Sequence, residues 1–244
     1  MTLPPRTRLY ARDAGQSHMT IYDAESLHVR RVLRLQTGDW IACFNGDGME
    51  YIYRIEESNR HDLILHLQSS ERNHRDDIPP TTVLIASIKG KTKDRIARDL
   101  PPLGVTQIIF YPADRSVCRP QIEAQPRLQK IAVESCRQCG RSTIPEVIIS
   151  EKPLPELFQS AAMHPAESLL FWENAGSGAE WRPGDYQQSV NLIFGPECGF
   201  SEGEIAWIQS QNIPAASLGP RILRSELAVV AGVVLLQSKR GLLR

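Results

Sequence analysis

The feature that most constrains how this chain can fold is a short apolar run, residues 190–194, which breaks into a glycine-rich loop at residues 195–200. The length of the run and its Gly-Pro boundary favour a buried strand over part of a helix. Ser201 precedes Glu204 by three residues, which is the spacing of a capping box at a helix start. The sequence therefore predicts a strand, a loop and a helix in this order, with the first amide groups of the helix facing whatever occupies the loop.

A second loop, residues 218–226, follows within one helix length and ends in Ser225 and Glu226. A capping hydroxyl followed by an acid predicts a helix that runs to Lys239, although its valine-rich segment also has strand propensity. A helix this apolar must be buried, either in its own domain or against a second subunit. Both loops are expected at the carboxyl ends of strands, where ligands bind in α/β sheets. Ordinary strand-to-helix turns are the alternative interpretation.

Composition limits the possible partners of the chain. Its 244 residues suit one large domain or two small ones. The 28 basic and 28 acidic residues give a formal net charge of zero, so any contact with RNA must come from local basic patches. Residues 1–34 carry six arginines and residues 89–98 carry five bases. Each segment is a candidate patch, and a solvated charged surface is the alternative.

The cysteines indicate a reducing compartment. Their number, five, is odd, and no signal-peptide pattern is present, so we expect free thiols and a cytoplasmic protein. Cys136 and Cys139 form a C-x-x-C pair, but no second pair or nearby histidine completes a zinc set, so we expect them to be structural and expect no metal. No apolar segment approaches the ~18 residues that a membrane span requires, and we therefore expect no membrane partner.

Residues 1–75 are predicted to be mainly β. Alternating strands are expected in the segments 39–44, 49–56 and 61–68, with shorter ones near Leu9 and Ile21. The Asn-Gly-Asp-Gly turn between the first two segments is a strong hairpin signal, and a small β-barrel would close such a sheet. Asp23 is expected to cap a helix that continues to Leu33. The charged stretch 72–80 ends in a double proline and predicts a domain boundary near residue 75.

From residue 76 to 244 the pattern changes to alternating strands and helices, which implies a mainly parallel sheet covered by helices. The polar segment 176–188 is predicted to be a loop. The expected strands are 82–88, 106–111, 147–149 and 169–172, and the expected helices are 91–100, 126–139 and 154–162.

The two loops also carry recognisable motifs. Residues 195–201 read Gly-Pro-Glu-Cys-Gly-Phe-Ser, and residues 218–228 read Leu-Gly-Pro-Arg-Ile-Leu-Arg-Ser-Glu-Leu-Ala. They resemble the signatures of the RsmE family of 16S ribosomal RNA methyltransferases in the SPOUT superfamily, and shorter similarities extend over most of the chain. The resemblance implies a PUA-like, RNA-binding β-barrel domain over 1–75. It implies a SPOUT methyltransferase domain over 76–244, whose trefoil knot binds S-adenosyl-L-methionine and which forms a homodimer.

The same resemblance implies transfer of a methyl group to N3 of a uridine in the 16S rRNA of the small ribosomal subunit. Arg224 and Arg141 match family positions and are the predicted catalytic residues, because a guanidinium beside the uracil oxygens would favour loss of the N3 proton. Phosphate anchoring is the alternative role for both arginines. The predicted RNA contacts are Arg30, Arg31 and Arg34, and the predicted cofactor-binding residues are Gly195, Glu197, Gly199, Leu218, Gly219, Ile222, Leu223 and Ser225.

Three departures from the family pattern keep other functions open. Cys198 replaces a glycine, and Leu227 replaces a threonine. Pro101 and Pro102 should end the preceding helix early. The same change removes an acidic residue that the family has in this segment. The alternatives are a catalytically silent RNA-binding dimer and a related SPOUT methyltransferase with a different RNA target.

Overall fold

A computed structural model describes residues 7–160, 163, 167–175 and 187–243. Contacts between Cα atoms divide the chain into two compact units. The first comprises the residues up to Asp77 together with Cys136–Ile144, and the second comprises Ile78–Ser135 with Pro145–Arg244. The break after Asp77 lies close to the predicted boundary, whereas no sequence pattern indicated that Cys136–Ile144 belongs to the first unit.

The first unit contains a five-stranded sheet with the strand order β1-β3-β4-β5-β2. Strands β1 and β3 are parallel, and the other pairs are antiparallel. The hairpin predicted at Asn-Gly-Asp-Gly is confirmed: Gly46 and Gly48 have φ of 105° and 87°, which favour glycine. The elements are β1 Arg8–Tyr10, β2 His18–Tyr22, α1 Asp23–Arg31, β3 Trp40–Phe44, β4 Met49–Ser58 and β5 Asp62–Arg72.

The helix α1 differs from its prediction at both ends. Asp23 is its first residue, with φ of 49°, and Tyr22 occupies the cap position without a side-chain hydrogen bond, so the predicted Asp23 cap is wrong. The helix ends at Arg31 rather than Leu33, because the amides of Val32 and Leu33 both donate to the His28 carbonyl. Arg34 therefore lies beyond the helix that was expected to carry it.

The second unit is built on a six-stranded sheet of order β11-β9-β10-β6-β7-β8, in which every neighbouring pair is parallel. This confirms the predicted parallel α/β fold. The strand β11 was not predicted, because two alanines carry no strand pattern. The strands are β6 Thr81–Ala86, β7 Gln107–Tyr111, β8 Glu146–Ile149, β9 Ser168–Phe171, β10 Val190–Phe194 and β11 Ala215–Ala216.

The strand β10 lies between β9 and β6, and all five of its residues are buried. Leu192 and Phe194 belong to one hydrophobic cluster and Ile193 to another, so both sides of the strand are covered. A central strand of a parallel sheet is apolar on both faces, which accounts for the apolar run in the sequence; its one polar residue, Asn191, is buried and donates to Oγ of Ser168 at 3.2 Å.

The helices that follow Asp77 in the chain match most of their predicted positions. The predicted residues 161 and 162 of one helix, and residues 176–186 of the predicted loop, lie outside the described residues. The helices are α2 Lys91–Asp99, α3 Gln125–Cys139, α4 Leu154–Ser160, α5 Glu202–Ser210 and α6 Ser225–Lys239. The expectation that Pro101 and Pro102 end a helix early is confirmed: α2 stops at Asp99, and a single turn of 3-10 helix follows.

The last helix, α6, was predicted as a helix despite its valines, and this is confirmed. The predicted cap is wrong: Ser225 is the first helical residue, Arg224 occupies the cap position, and neither side chain makes a capping bond there. One side of α6 is buried through Val229 and Val233, whereas Leu227 on another side is 53% exposed. Among the described residues, no helix has both the length and the hydropathy needed to cross a bilayer.

All five cysteines lie in the described part of the chain and are free thiols, as predicted. Burial raises the pKa of Cys136 to about 12. This thiol is therefore protonated and unreactive at neutral pH, which supports the structural role expected for it.

Candidate active site

The site begins where three neighbouring parallel strands end. In the sheet register Phe194 of β10 pairs with Phe171 of β9, and Phe171 pairs with Ala216 of β11. The chain segments that follow these residues therefore leave the same edge of the sheet side by side. They include both loops singled out in the sequence, which lie at the carboxyl ends of strands as predicted.

A cavity of about 590 Å³ lies at this edge, and a smaller cavity of about 90 Å³ shares several of its residues. Every predicted cofactor-binding residue lines one cavity or both. The larger cavity is lined by Gly195, Glu197, Gly199 and Ser225, the smaller by Leu218 and Gly219, and both by Ile222 and Leu223. Arg224, predicted to be catalytic, also lines the larger cavity. The structure thus brings together residues from both motifs.

The first loop has room for glycine but not for a larger residue. A Cβ atom built on Gly195 would lie 2.6 Å from the Phe200 ring. Gly199 has φ of 72°, and a Cβ built there would lie 3.2 Å from Oε1 of Glu173. The Gly199 amide donates to the Pro196 carbonyl at 2.9 Å, which closes the turn. These two glycines therefore let the backbone form the cavity wall.

The predicted capping box at the start of α5 is confirmed. The Glu204 amide donates to Oγ of Ser201 at 3.1 Å, and the Ser201 amide donates to Oε2 of Glu204 at 2.8 Å. Asp114, which follows β7, extends this network: Ser201 Oγ donates to its carboxylate, and its own amide donates to Oε1 of Glu204 at 3.1 Å. The network fixes the loop that leads from the cavity into α5.

Tyr111 holds the end of β10. Its buried hydroxyl donates to the Phe194 carbonyl at 3.0 Å. Burial, followed by the negative charge of Glu204, raises the pKa of Tyr111 well above its usual value. The hydroxyl therefore remains a neutral donor, and it satisfies the carbonyl of the last strand residue before the loop.

Gly232 allows α6 to approach the sheet beside the cavity. A Cβ atom built on Gly232 would lie 2.8 Å from the rings of both Phe171 and Phe194. These two rings stack with their centroids 4.9 Å apart. This close contact anchors α6 on β9 and β10, and it fixes the helix start, with Arg224 and Ser225, at the cavity.

The second loop contributes an apolar wall. Ile222 is 89% exposed, although it lines both cavities. Ser217 stabilises the preceding turn, because its Oγ lies 3.2 Å from the Gly219 carbonyl oxygen, to which it donates. An isoleucine this exposed beside a cavity is suited to contact an apolar part of a ligand.

The charges around the larger cavity are mostly negative. Glu173, Glu197 and Glu226 line it, opposed by the single guanidinium of Arg224 among the lining residues. Such a cavity favours a ligand that carries positive charge. Glu173 was not predicted from the sequence. The available signal was its position two residues after the end of β9, which becomes informative once β9 is known to lie beside β10.

Arg141 lies in the first unit and is almost completely buried. Its Nε donates to Oδ1 of Asp76 at 3.0 Å, and Nη2 donates to Oγ1 of Thr143 at 2.9 Å. The second carboxylate oxygen of Asp76 accepts from the amides of Ser142 and Thr143. These hydrogen bonds indicate a structural role for the guanidinium, and the catalytic role of Arg141 stays a prediction.

The three predicted RNA-binding arginines have different surroundings. Arg30 donates to the carbonyl oxygens of Ser26 and Arg60, so its guanidinium helps to fix the backbone. Arg31 and Arg34 are exposed. These two remain the better candidates for contact with a polyanion.

Two family profiles match the chain. The profile of an RNA methyltransferase domain matches residues 76–237, and that of an RNA methyltransferase PUA domain matches residues 21–68. A relative from Buchnera aphidicola named Ribosomal RNA small subunit methyltransferase E is 28% identical over 243 residues, covering 96% of each chain.

Solved structures show the same similarity. A methyltransferase from Legionella pneumophila, in complex with the bound cofactor SAM, has a TM-score of 0.76 and 26% identity, and the match covers 96% of this chain and 98% of that chain. A structure from Porphyromonas gingivalis, described as a probable rRNA-methyltransferase, has a TM-score of 0.83 and 25% identity, with 96% and 98% covered.

Proposed function

Because the chain belongs to the RNA methyltransferase family whose profile spans residues 76–237, we propose that it transfers the methyl group of S-adenosylmethionine to N3 of a uridine in 16S ribosomal RNA. One observation carries the proposal: both motif loops line the same acidic cavity at the carboxyl ends of β9, β10 and β11. The family resemblance further implies that the chain crossings around this cavity form a trefoil knot.

The lining residues fit S-adenosylmethionine. The volume of about 590 Å³ lies within the range of small-molecule sites. The excess of carboxylates complements a sulfonium and an ammonium group, and the exposed Ile222 offers an apolar contact for the adenine. Gly195 and Gly199 leave space that a side chain would fill. The backbone of both loops can therefore approach the cofactor closely.

The protein has little covalent chemistry to perform. When bound, S-adenosylmethionine supplies a methyl carbon that the positive sulfur already activates, so the protein mainly positions the reactants. N3 of uridine is protonated at neutral pH, and its lone pair becomes available when this proton passes to solvent water. Arg224 stabilises the negative charge that then develops on the uracil oxygens.

A catalytically silent RNA-binding dimer is the principal alternative. In this alternative, the replacement of family residues by Cys198 and Leu227 would have to prevent cofactor binding. Neither residue lines the two cavities, and both side chains are exposed. Calorimetric titration with S-adenosylmethionine separates the two functions, because saturable binding supports the enzyme and its absence at millimolar ligand supports the silent dimer.

The first unit is proposed to bind the rRNA through Arg31 and Arg34. Replacing both by alanine should weaken RNA binding and lower the slope of log affinity against log salt by about 1.5, because two phosphate contacts are lost. Fluorescence anisotropy at several salt concentrations measures this slope. Arg72→Ala is the matched control, because its guanidinium already pairs with Asp77 at 2.7 Å. Equal slopes in the double variant and the control would show that these arginines do not contact the RNA.

We also propose that the protein is a homodimer formed through the exposed side of α6. Leu227, Val234 and Leu235 remain exposed on this apolar helix. Leu235→Asp should weaken self-association by at least about tenfold, because it places a charge in an apolar interface. Sedimentation velocity measures the change. Val117→Asp is the control, because Val117 is also exposed but lies outside α6, and an equal effect of both substitutions would reject this interface.

Mass spectrometry of rRNA nucleosides tests the proposed reaction in cells. Cells that lack the gene should lose N3-methyluridine from 16S rRNA, and the intact gene should restore it. Retention of N3-methyluridine in the deletion strain would reject the proposed product. A different missing nucleoside would identify a related methyltransferase with another target. The proposal places the protein in the cytoplasm, where its ribosomal substrate lies.

A further inference from the structure

A cluster of two histidines and one glutamate lies on the sheet of the first unit, and it contains none of the residues proposed to bind the cofactor or the RNA. His66 Nδ1 lies 3.2 Å from Oε1 of Glu56, and His18 Nε2 lies 3.8 Å from Oε2 of the same carboxylate. One ligand atom from each of the three residues lies within 4.8 Å of the other two. The imidazole rings stack in parallel with their centroids 4.5 Å apart.

The sheet itself creates this arrangement. His18 of β2 and His66 of β5 are direct partners in an antiparallel ladder, so their side chains lie on the same face. The neighbouring Met19 and Leu65 are buried on the opposite face. The two histidines therefore project together from the outer face, and the strand pairing determines their spacing.

Glu56 lies on the same outer face as the histidines, because the preceding Ile55 is buried and Arg54, two residues before Glu56, is the ladder partner of His66. The register of β4 against β5 shifts between Ile55 and Glu57, so Glu56 has no partner residue on β5. An extra residue of this kind is a β-bulge. The carboxylate of Glu56 lies close to His66 on the adjacent strand β5 and to His18 on the next strand, β2.

The three donors match the requirements of a divalent transition metal. Two imidazoles and a carboxylate form a common zinc set, with tetrahedral geometry completed by water. Zinc-to-nitrogen bonds of about 2.0 Å imply ligand atoms roughly 3.4 Å apart, so the separation of His66 and Glu56 is already suitable. The side chains of His18, Glu56 and His66 are 59%, 42% and 41% exposed. The nitrogen lone pairs of two parallel rings do not converge on one point, so the imidazoles must rotate when an ion binds, and their exposure allows this.

One cationic side chain lies beside the cluster. Arg54 is the ladder partner of His66, but its Nη2 lies 3.9 Å from the position of a Cβ built on Gly38, so the guanidinium extends towards the loop before β3. Neutral imidazoles are metal ligands. Ser17 Oγ lies 3.4 Å from Nδ1 of His18, which would orient this ring while Nε2 binds.

We propose that His18, Glu56 and His66 form a binding site for one divalent transition metal ion of the zinc type. Metal binding would join the edge strand β2 to β4 and β5. None of the three ligands lines the two cavities of the second unit.

Isothermal titration of the full chain with Zn²⁺ tests the proposal. One ion should bind per chain with a dissociation constant on the order of micromolar. Binding should weaken by about tenfold or more in His18→Ala, in His66→Ala and in Glu56→Gln. His61→Ala is the matched control, because this exposed histidine lies in the neighbouring turn but outside the cluster, and it should leave the affinity unchanged.

Cobalt absorption separates this site from cysteine ligation, because Cys198 is an exposed thiol elsewhere in the chain. Co²⁺ should give the visible bands of tetrahedral coordination without thiolate charge transfer. The bands should disappear in Glu56→Gln, which conserves the size of the side chain and is expected to fold. Zinc binding that is undetectable at millimolar ion, unchanged in all three variants, or accompanied by thiolate charge transfer would overturn the proposal.

Discussion

Replacing Gly199 by valine is expected to lower the affinity for S-adenosylmethionine by at least about 100-fold. Two effects contribute: strain in the backbone and a side chain that blocks the cavity wall. Gly199 has φ of 72°, a conformation that is unfavourable for a β-branched residue. Its Cβ would also lie 3.2 Å from the carboxylate oxygen of Glu173, which lines the same cavity. Valine would therefore distort the turn and displace an acidic group proposed to face the cofactor.

Calorimetric titration measures this loss, and circular dichroism establishes whether the variant is folded. Gly203→Ala provides the control, because Gly203 lies within α5 and a Cβ there would approach only Oγ of Ser201, at 3.8 Å. Alanine also has the higher helix propensity, so this control should bind the cofactor normally. Normal affinity in a folded Gly199→Val variant would exclude the first loop from the cofactor site.

Replacing Arg224 by alanine is expected to reduce kcat for methyl transfer by about 100-fold to 1000-fold, the usual effect of removing one donor that stabilises a developing anion. The KM for S-adenosylmethionine should change little. Arg224→Lys should recover only part of the rate, because an ammonium group lacks the planar fork of a guanidinium. Steady-state kinetics with small ribosomal subunits as substrate provide these constants.

The same experiment distinguishes catalysis from phosphate anchoring by Arg224. An anchoring residue would raise the KM for RNA and reduce the dependence of that KM on salt, with kcat unchanged. Lys239→Ala removes the same charge at the other end of α6, where the side chain is exposed, and should leave kcat unaltered. An effect on KM alone would assign Arg224 to RNA binding and leave the catalytic guanidinium unidentified.

Local patterns predicted the first motif well. Strand β10, its loop and the capping box of α5 depend on interactions between residues close in sequence, and the structure confirms each of them. The caps assigned to Asp23 and Ser225 were wrong for a related reason. Composition places a capping residue near a helix start, but the backbone angles decide which residue occupies the cap, and here both side chains fall one position inside the helix.

Features that depend on distant residues could not be predicted in this way. Glu173 joins the cavity only because β9 lies beside β10 in the sheet. Arg141 is buried because Asp76, separated by 65 positions in the sequence, accepts its hydrogen bond. Gly232 interrupts the apolar sequence of α6, and only the packing shows that it is the position at which α6 contacts two phenylalanine rings. Each of these features requires the strand order or the packing of the sheet.

The central claim is that the two motif loops bind one methyl donor together. A crystal structure of the full chain with S-adenosylmethionine tests this claim most directly. The ligand should occupy the cavity between Gly199 and Ile222, with its positive groups near Glu173, Glu197 or Glu226. A ligand bound elsewhere, or one that contacts only one of the two loops, would contradict the account.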